Sequence, residues 1–266
     1  MAAEIATCLD DLAGTEEGRV TLEIGAGGDR TAVVDRGAED VVVAHCEALA
    51  SAGVRFLLRS EELGDRAYGA PHPVLLVDPV DGSLNAMYGL PYYCTSLCLV
   101  DGDRVEDATV AVVRSLALPT VYAAVRGGGA TRDGVPLHPL RVALDERRRV
   151  PMLLLEGMST VRNVDALGPL LAGSRRVRLL GSAALSLCQV ATGSGSALVA
   201  PGGMRAFDCA AGLLLLRESG AVTTDLGGGS LDDRPLDFAT RFPIVTSLSP
   251  EVHRRTLELL AEGGAT

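Results

Sequence analysis

The chain has no lysine; all 24 of its basic residues are arginine. That absence removes the P-loop lysine, Schiff-base chemistry and a lysine general base together. Also missing are a GxGxxG turn, a GxSxG nucleophile elbow and an HxxxH metal pair, and the four histidines (His45, His72, His138, His253) are scattered. Dinucleotide, acyl-serine and zinc chemistry therefore lose their usual signals. The six cysteines (Cys8, Cys46, Cys94, Cys98, Cys188, Cys209) show no CxxC spacing and lie in apolar surroundings, the pattern of buried thiols in a reducing compartment. The opening MAAEIATCLDD carries acid where a secretory signal needs base. No apolar run approaches the ~18 residues of a membrane span. A cytoplasmic location is the expectation.

Against the 24 basic residues stand 34 acidic ones, and the net charge of −10 would repel nucleic acid and anionic membranes over most of the surface. Neither is expected as a partner. What remains is a globular chain of 266 residues, 47% hydrophobic and 22% charged, long enough to bury a sizeable core without disulfides.

Its organisation reads as two α/β halves, 1–140 and 141–266. In the first, apolar spacing predicts a helix from about Arg36 to Ala52 with Asp35 at its start. Short β-branched runs follow at Val74–Val77, Thr95–Val100, Thr109–Val113 and Val121–Val125, separated by turn signals. After RVALDERRRV the pattern alternates: a strand at MLLLE, a helix near Val164–Leu171, a strand at RVRLL, and a helix opened by Ser182. FDCAAGLLLLRESG reads as a buried helix stopped by Gly220, AVTTD as a strand, and Pro250–Ala261 as a last helix. The glycine triplets at 127–129 and 227–229 read as turns. The Arg clusters at 147–149 and 175–178 read as solvated element ends.

The stretch that carries chemistry is VLLVDPVDGSLN, residues 74–85. An apolar strand delivers Asp78 at its end, Pro79 fixes the turn and Asp81 follows three positions later, so both carboxylates can face one site. Gly82 permits close backbone approach, and Ser83 can begin a helix whose free N–H groups meet an anion. Carboxylates for a hard divalent ion beside a phosphate cradle suit metal-assisted phosphoryl hydrolysis. The same residues also fit an ordinary strand, turn and helix with Asp caps.

Residues 78–85 resemble the DPxDGTxNF or DPxDGSxN motif of the inositol monophosphatase and fructose-1,6-bisphosphatase superfamily, magnesium-dependent and lithium-sensitive phosphatases. Three further segments resemble the family in order: the acidic pair Glu61 and Glu62 in RSEELG, GSAALSLCQVATG at 181–193, and FDCAAGLLLLRESGA at 207–221. GDRTAVVD, at 28–35, is a looser match. The resemblance is collinear over roughly 29–250. It implies the family's layered αβαβα sandwich, a homodimer, two or three Mg²⁺ ions and a small phosphorylated substrate. Carried over by residue, Glu61, Asp78 and the Val80 carbonyl would hold one ion, and Asp78, Asp81 and Asp208 a second. Glu61 with Ser83 would activate the attacking water, the Gly82 and Ser83 amides would bind phosphate, and Asp35 would assist near a third ion. Ser182 and Arg205 would contact substrate.

The departures bear on substrate. Ser83 in place of threonine and Arg205 three positions before Asp208 resemble the archaeal dual-specificity branch, and Asn85 speaks against the adenosine 3′,5′-bisphosphate phosphatases. Phe207 replaces the usual tryptophan and Ala86 the usual phenylalanine. Ser186 and Ala200 stand where the family often places hydroxyl-binding side chains, which implies that inositol 1-phosphate is a poor substrate. The expectation is a phosphomonoesterase for a small sugar or cyclitol phosphate. Fructose 1,6-bisphosphate and a phosphorylated intermediate of specialised metabolism are the alternatives, with a catalytically weak regulatory homologue as the contrasting class.

Overall fold

The computed structural model describes residues 1–28, 30–158 and 164–265; Asp29 of the GDRTAVVD segment lies outside the described residues. The first half runs α1 (Ala2–Asp10), β1 (Thr21–Ile24), β2 (Arg30–Ala32), α2 (Val33–Ser51), β3 (Phe56–Ser60), β4 (Gly64–Asp81), α3 (Ser83–Tyr88), β5 (Cys94–Val100), β6 (Ala108–Ser115), β7 (Val121–Val125), β8 (Gly129–Arg132) and β9 (Val135–Pro136). The second half runs β10 (Leu153–Leu155), α4 (Gly168–Ala172), β11 (Val177–Arg178), α5 (Ala183–Ala191), β12 (Ala197–Met204), α6 (Ala206–Glu218), β13 (Val222–Thr224), β14 (Phe242–Ser247) and α7 (Pro250–Gly263). Strands β3 to β9 form one sheet in chain order, and the second half forms a five-stranded sheet in the order β11-β10-β12-β14-β13.

Alternation of side chains across each strand sets the layers. In β4, Val77 joins Phe56, Leu58, Ile5, Leu9, Ala38 and Val42 beneath α1 and α2, while Val74 and Leu76 face the opposite way into a cluster with Leu187, Leu213 and Leu214 of α5 and α6. The small sheet repeats the pattern. Leu154, Leu198 and Ile244 point inward to that same cluster, and Leu153, Leu155 and Val245 point outward under Leu170 of α4 and Leu259 of α7. The layers are therefore helix, sheet, helix, sheet, helix, as the family resemblance implies. Helix α6 lies between the two sheets, and every residue from Ala206 to Leu216 is buried, which explains why its sequence is apolar on all sides.

Several elements differ from the sequence expectation. The helix expected from Arg36 begins at Val33, because Asp35 sits inside its first turn and accepts the Ala32 N–H at 2.8 Å instead of preceding it. The segment expected as one helix over Val164–Leu171 is a 3₁₀ turn, Val164–Leu167, followed by the short α4, broken where Gly168 and Pro169 enter. Only Val177–Arg178 of RVRLL pairs as a strand. Strands β12 and β14 and helix α1 have no counterpart in the sequence reading.

Candidate functional site

Four segments converge where the two sheets meet. Glu61 leaves the end of β3 with its N–H bonded to the Val77 carbonyl at 3.1 Å, which places it beside the end of β4. There the pairing of β4 with β5 breaks register between Asp78 and Asp81, as Pro79 requires, since it has no N–H for the ladder. The Asp78 Oδ1 accepts the Val80 N–H at 3.0 Å and the Thr95 hydroxyl holds the Pro79 carbonyl at 2.9 Å, so the turn is pinned from both sides. Asp208 comes from the first turn of α6, whose start is tied to β5 by the Ser96 hydroxyl on the Phe207 carbonyl at 3.1 Å. The result brings Glu61, Asp78 and Asp208 together, all buried, each with an oxygen within 4.8 Å of the others'.

Asp81 stands apart from that trio. Its carboxylate receives the Ser182 hydroxyl at 2.5 Å, the Ala184 N–H at 2.7 Å and the Ala183 N–H at 3.2 Å, at the N-terminal end of α5, where the helix dipole favours an anion. Ser182 is fully buried, and its hydroxyl is committed to Asp81, so the substrate contact expected of that hydroxyl gives way to a bond that orients an acid. Gly82 caps α3 with φ +87°, and a Cβ there would lie 2.9 Å from the Gly181 carbonyl and 3.0 Å from that of Tyr92; only glycine fits. Ser83 follows as the first residue of α3, and Val80 is buried in the turn between the two acids. Asp35 is buried at the start of α2 and is not in the trio.

Arg205, expected to meet substrate, lies among the acids themselves. Its Nη1 is 2.6 Å from the Glu61 Oε1 and its Nε 3.3 Å from the Asp208 Oδ2, and its guanidinium rests over the Phe207 ring at 5.1 Å. Burial works against the Arg205 charge, and Asp208, Glu61 and Asp78 outweigh it. Burial also raises Glu61 well above the ordinary carboxylate range, opposed by Arg205 and reinforced by Asp208. Asp78 is raised by burial and then by Glu61, Asp81 and Asp208, and Asp81 to about 7 by burial and then Asp208. Glu61, Asp78 and Asp81, crowded at low dielectric, resist ionising together, and a cation would relieve them.

The Asp78 Oδ2 is free to take such a cation. It is buried without a hydrogen-bond partner, in a protein interior where buried polar atoms are nearly always paired. An all-oxygen donor set with no sulfur or imidazole suits a hard divalent ion. The residues present fit the metal that the sequence implies.

Two neighbouring acids, Glu156 and Glu39, escaped the sequence reading. Glu156 ends β10 as a buried acid, the same signal, an acid closing an apolar strand, that singled out Asp78. Ser186 and Ala200, taken as hydroxyl-reading positions, are both fully buried, Ser186 donating to Glu156 at 2.7 Å, so neither bears on which polyol is recognised. Glu39, four residues after Asp35 on α2, is 5% exposed and accepts the Ser60 hydroxyl at 2.5 Å. Burial is the main force raising Glu39 to about 7, with Glu62 and Asp40 adding to it and Arg36 opposing. The folded state then keeps a proton that the unfolded chain loses first, so Glu39 costs nothing below about pH 4.5 and its penalty grows until about pH 7. Glu39→Gln is expected to gain on the parent by an amount that rises across that window to on the order of 2 kcal/mol; melting curves of both proteins at pH 5 and pH 8 check it, and an equal difference at both would refute it.

A family model described as the inositol monophosphatase family matches residues 2–264. A fructose-1,6-bisphosphatase/inositol-1-monophosphatase of Methanothermobacter thermautotrophicus is 28% identical over 271 residues, covering 98% of this chain and 94% of that protein. Its namesake from Archaeoglobus fulgidus is 32% identical over 240 residues, covering 89% and 86%. Among solved structures, one described as an inositol monophosphatase-fructose 1,6 bisphosphatase superposes with a TM-score of 0.83 at 23% identity over 97% of this chain and 96% of its own. The Thermotoga maritima IMPase gives 0.77 at 23% identity over 99% and 94%. At these identities the structures speak for the fold.

Proposed function

Because the chain belongs to the inositol monophosphatase family, we propose that this phosphoric monoester hydrolase releases phosphate from a small sugar or cyclitol phosphate with the help of Mg²⁺. The observation that carries the reading is the unpartnered Asp78 Oδ2 inside the Glu61, Asp78 and Asp208 trio. Glu61, Asp78 and the Val80 carbonyl would hold one ion, and Asp78, Asp208 and Asp81 a second, with Asp35 near a third. Ions there would supply Lewis-acid polarisation of the phosphate and a more acidic water.

The chain's own groups do the rest. Glu61 takes the proton of the attacking water. The Ser83 hydroxyl orients that water, and the Gly82 and Ser83 N–H groups hold the phosphate oxygens. Asp81, oriented by Ser182 and the start of α5, faces the leaving-group side. Arg205, beside Glu61 and Asp208, would also be within the site to meet an anion on the substrate. We place the enzyme in the cytoplasm as a homodimer, with no nucleic-acid or membrane partner. The family resemblance supports the dimer, the cysteine pattern the compartment, and the net charge of −10 the absence of polyanionic partners. No described helix is long and apolar enough to cross a membrane.

The test is phosphate release from p-nitrophenyl phosphate with Mg²⁺ and with EDTA, followed by kcat/KM over a panel that includes inositol 1-phosphate and fructose 1,6-bisphosphate. Turnover should require Mg²⁺ and stop in EDTA. Metal-independent release, or none from any phosphomonoester, would overturn the reading.

A further inference from the structure

Asp81 takes three of its donors from one short run of chain, residues 182–184, with the Cys94 thiol of β5 a longer fourth at 3.6 Å. What holds that run is therefore part of the site. Just after it, in the first turn of α5, the Ser186 hydroxyl donates to the Glu156 Oε1 at 2.7 Å. The Ser186 oxygen in turn lies 3.3 Å from the Tyr92 hydroxyl. Asn85 braces the other side, its Nδ2 donating to the Leu180 carbonyl at 2.7 Å and to the Tyr92 carbonyl at 2.8 Å. Glu156 itself cannot drift, because its N–H is bonded to the Val199 carbonyl of β12 at 3.1 Å.

We infer that Glu156 is a positioning residue for the phosphatase site: through residues 182–186 it sets where Asp81 points. This rests on the phosphatase reading above. A buried carboxylate is costly unless donors meet it, and the hydroxyl that Glu156 accepts sits on the same first turn of α5 as donors that orient Asp81. The two acids grip the same strip of chain. Loss of the Glu156 grip frees the strip to move, and small displacements of a metal-orienting partner weaken metal binding and turnover even though no ligand is removed.

Hydrogen bonding, not charge, is the means. A glutamine at 156 keeps an oxygen to accept the Ser186 hydroxyl; an alanine keeps none.

The experiment compares the parent, Glu156→Ala and Glu156→Gln by calorimetric Mg²⁺ titration, by kcat and KM for p-nitrophenyl phosphate, and by melting in EDTA. Glu156→Ala is expected to weaken Mg²⁺ binding and lower kcat by about 10- to 100-fold with a smaller change in KM, and Glu156→Gln to return both to within about threefold of the parent. An alanine variant that melts lower yet binds Mg²⁺ and turns over like the parent would make Glu156 a fold residue only and overturn the inference. A glutamine variant as defective as the alanine one would overturn it too, by making charge the cause. Should Glu156→Ala not fold, Ser186→Ala carries the test, with the same direction expected and parental Mg²⁺ affinity and kcat as the overturning result. If the parent binds Mg²⁺ but hydrolyses nothing, the phosphatase reading fails while the Mg²⁺ titrations still decide the role of Glu156.

Discussion

Asp78→Asn should cut phosphate release by about a thousandfold or more and at the same time raise the melting temperature in EDTA. The two effects share one cause. Asp78 is almost completely buried, its Oδ1 accepts the Val80 N–H and its Oδ2 has no partner. An asparagine keeps the first bond and turns an N–H₂ toward the neighbouring Glu61 and Asp208 carboxylates, replacing repulsion by donation; the metal-free protein gains because one of several crowded charges is gone. Turnover loses because the central ligand of the trio can no longer carry charge for the metal. A loss of several kcal/mol of transition-state stabilisation, at about 1.36 kcal/mol per tenfold, gives the stated factor. Steady-state kinetics with Mg²⁺ and calorimetric melting in EDTA check both arms. Normal turnover would remove Asp78 from the metal site, and a lower melting temperature would show its carboxylate to be a structural asset.

Arg205→Ala is expected to tighten Mg²⁺ binding and to lower the melting temperature in EDTA. Its guanidinium pairs with Glu61 and Asp208, two of the three oxygens that a divalent ion would take, so cation and arginine compete for one place. Removing the arginine should tighten Mg²⁺ binding by about tenfold, roughly 1.4 kcal/mol. The metal-free protein should lose on the order of 3 kcal/mol as buried carboxylates lose their counter-charge, a loss that saturating Mg²⁺ restores. Titration calorimetry and melting with and without Mg²⁺ measure these. Unchanged Mg²⁺ affinity with a raised KM for the natural type of substrate, and no change for p-nitrophenyl phosphate, would mean that Arg205 serves substrate alone.

The contrast between these two residues shows what could be read from the sequence. Asp78 was legible because a strand, a proline and a second acid follow within a few positions, and Asp208 only through the resemblance of FDCAAGLLLLRESGA to the family, since alone it reads as an acid at a helix N-terminus. The fold class was legible because the β-branched runs and the α6 helix report burial directly. Arg205 was legible as a residue near the site but not as a partner of Glu61, since the bond joins the end of β3 to the start of α6 and nothing local encodes it. Glu156 carried a local signal, an acid closing an apolar strand, but nothing near it encodes its partner Ser186 on α5. Strand β12 escaped because Pro201, Gly202 and Gly203 look like a turn; the pairing with β14 tolerates them through a register break between Ala200 and Met204.

The bond from Ser182 to Asp81 spans 101 residues and that from Ser96 to Phe207 spans 111. A chain leaving the ribosome at ~5–20 residues per second therefore exposes Asp81 for roughly 5–20 seconds before its orienting serine exists. During that interval the face of the large sheet that carries Val74, Leu76 and Cys98 has no α5 or α6 to cover it. The covering of that face and the assembly of the acidic centre are then the same event, late in synthesis, so the nascent chain has no half-built hydrolase and its period of greatest exposure of apolar surface coincides with its period of chemical silence.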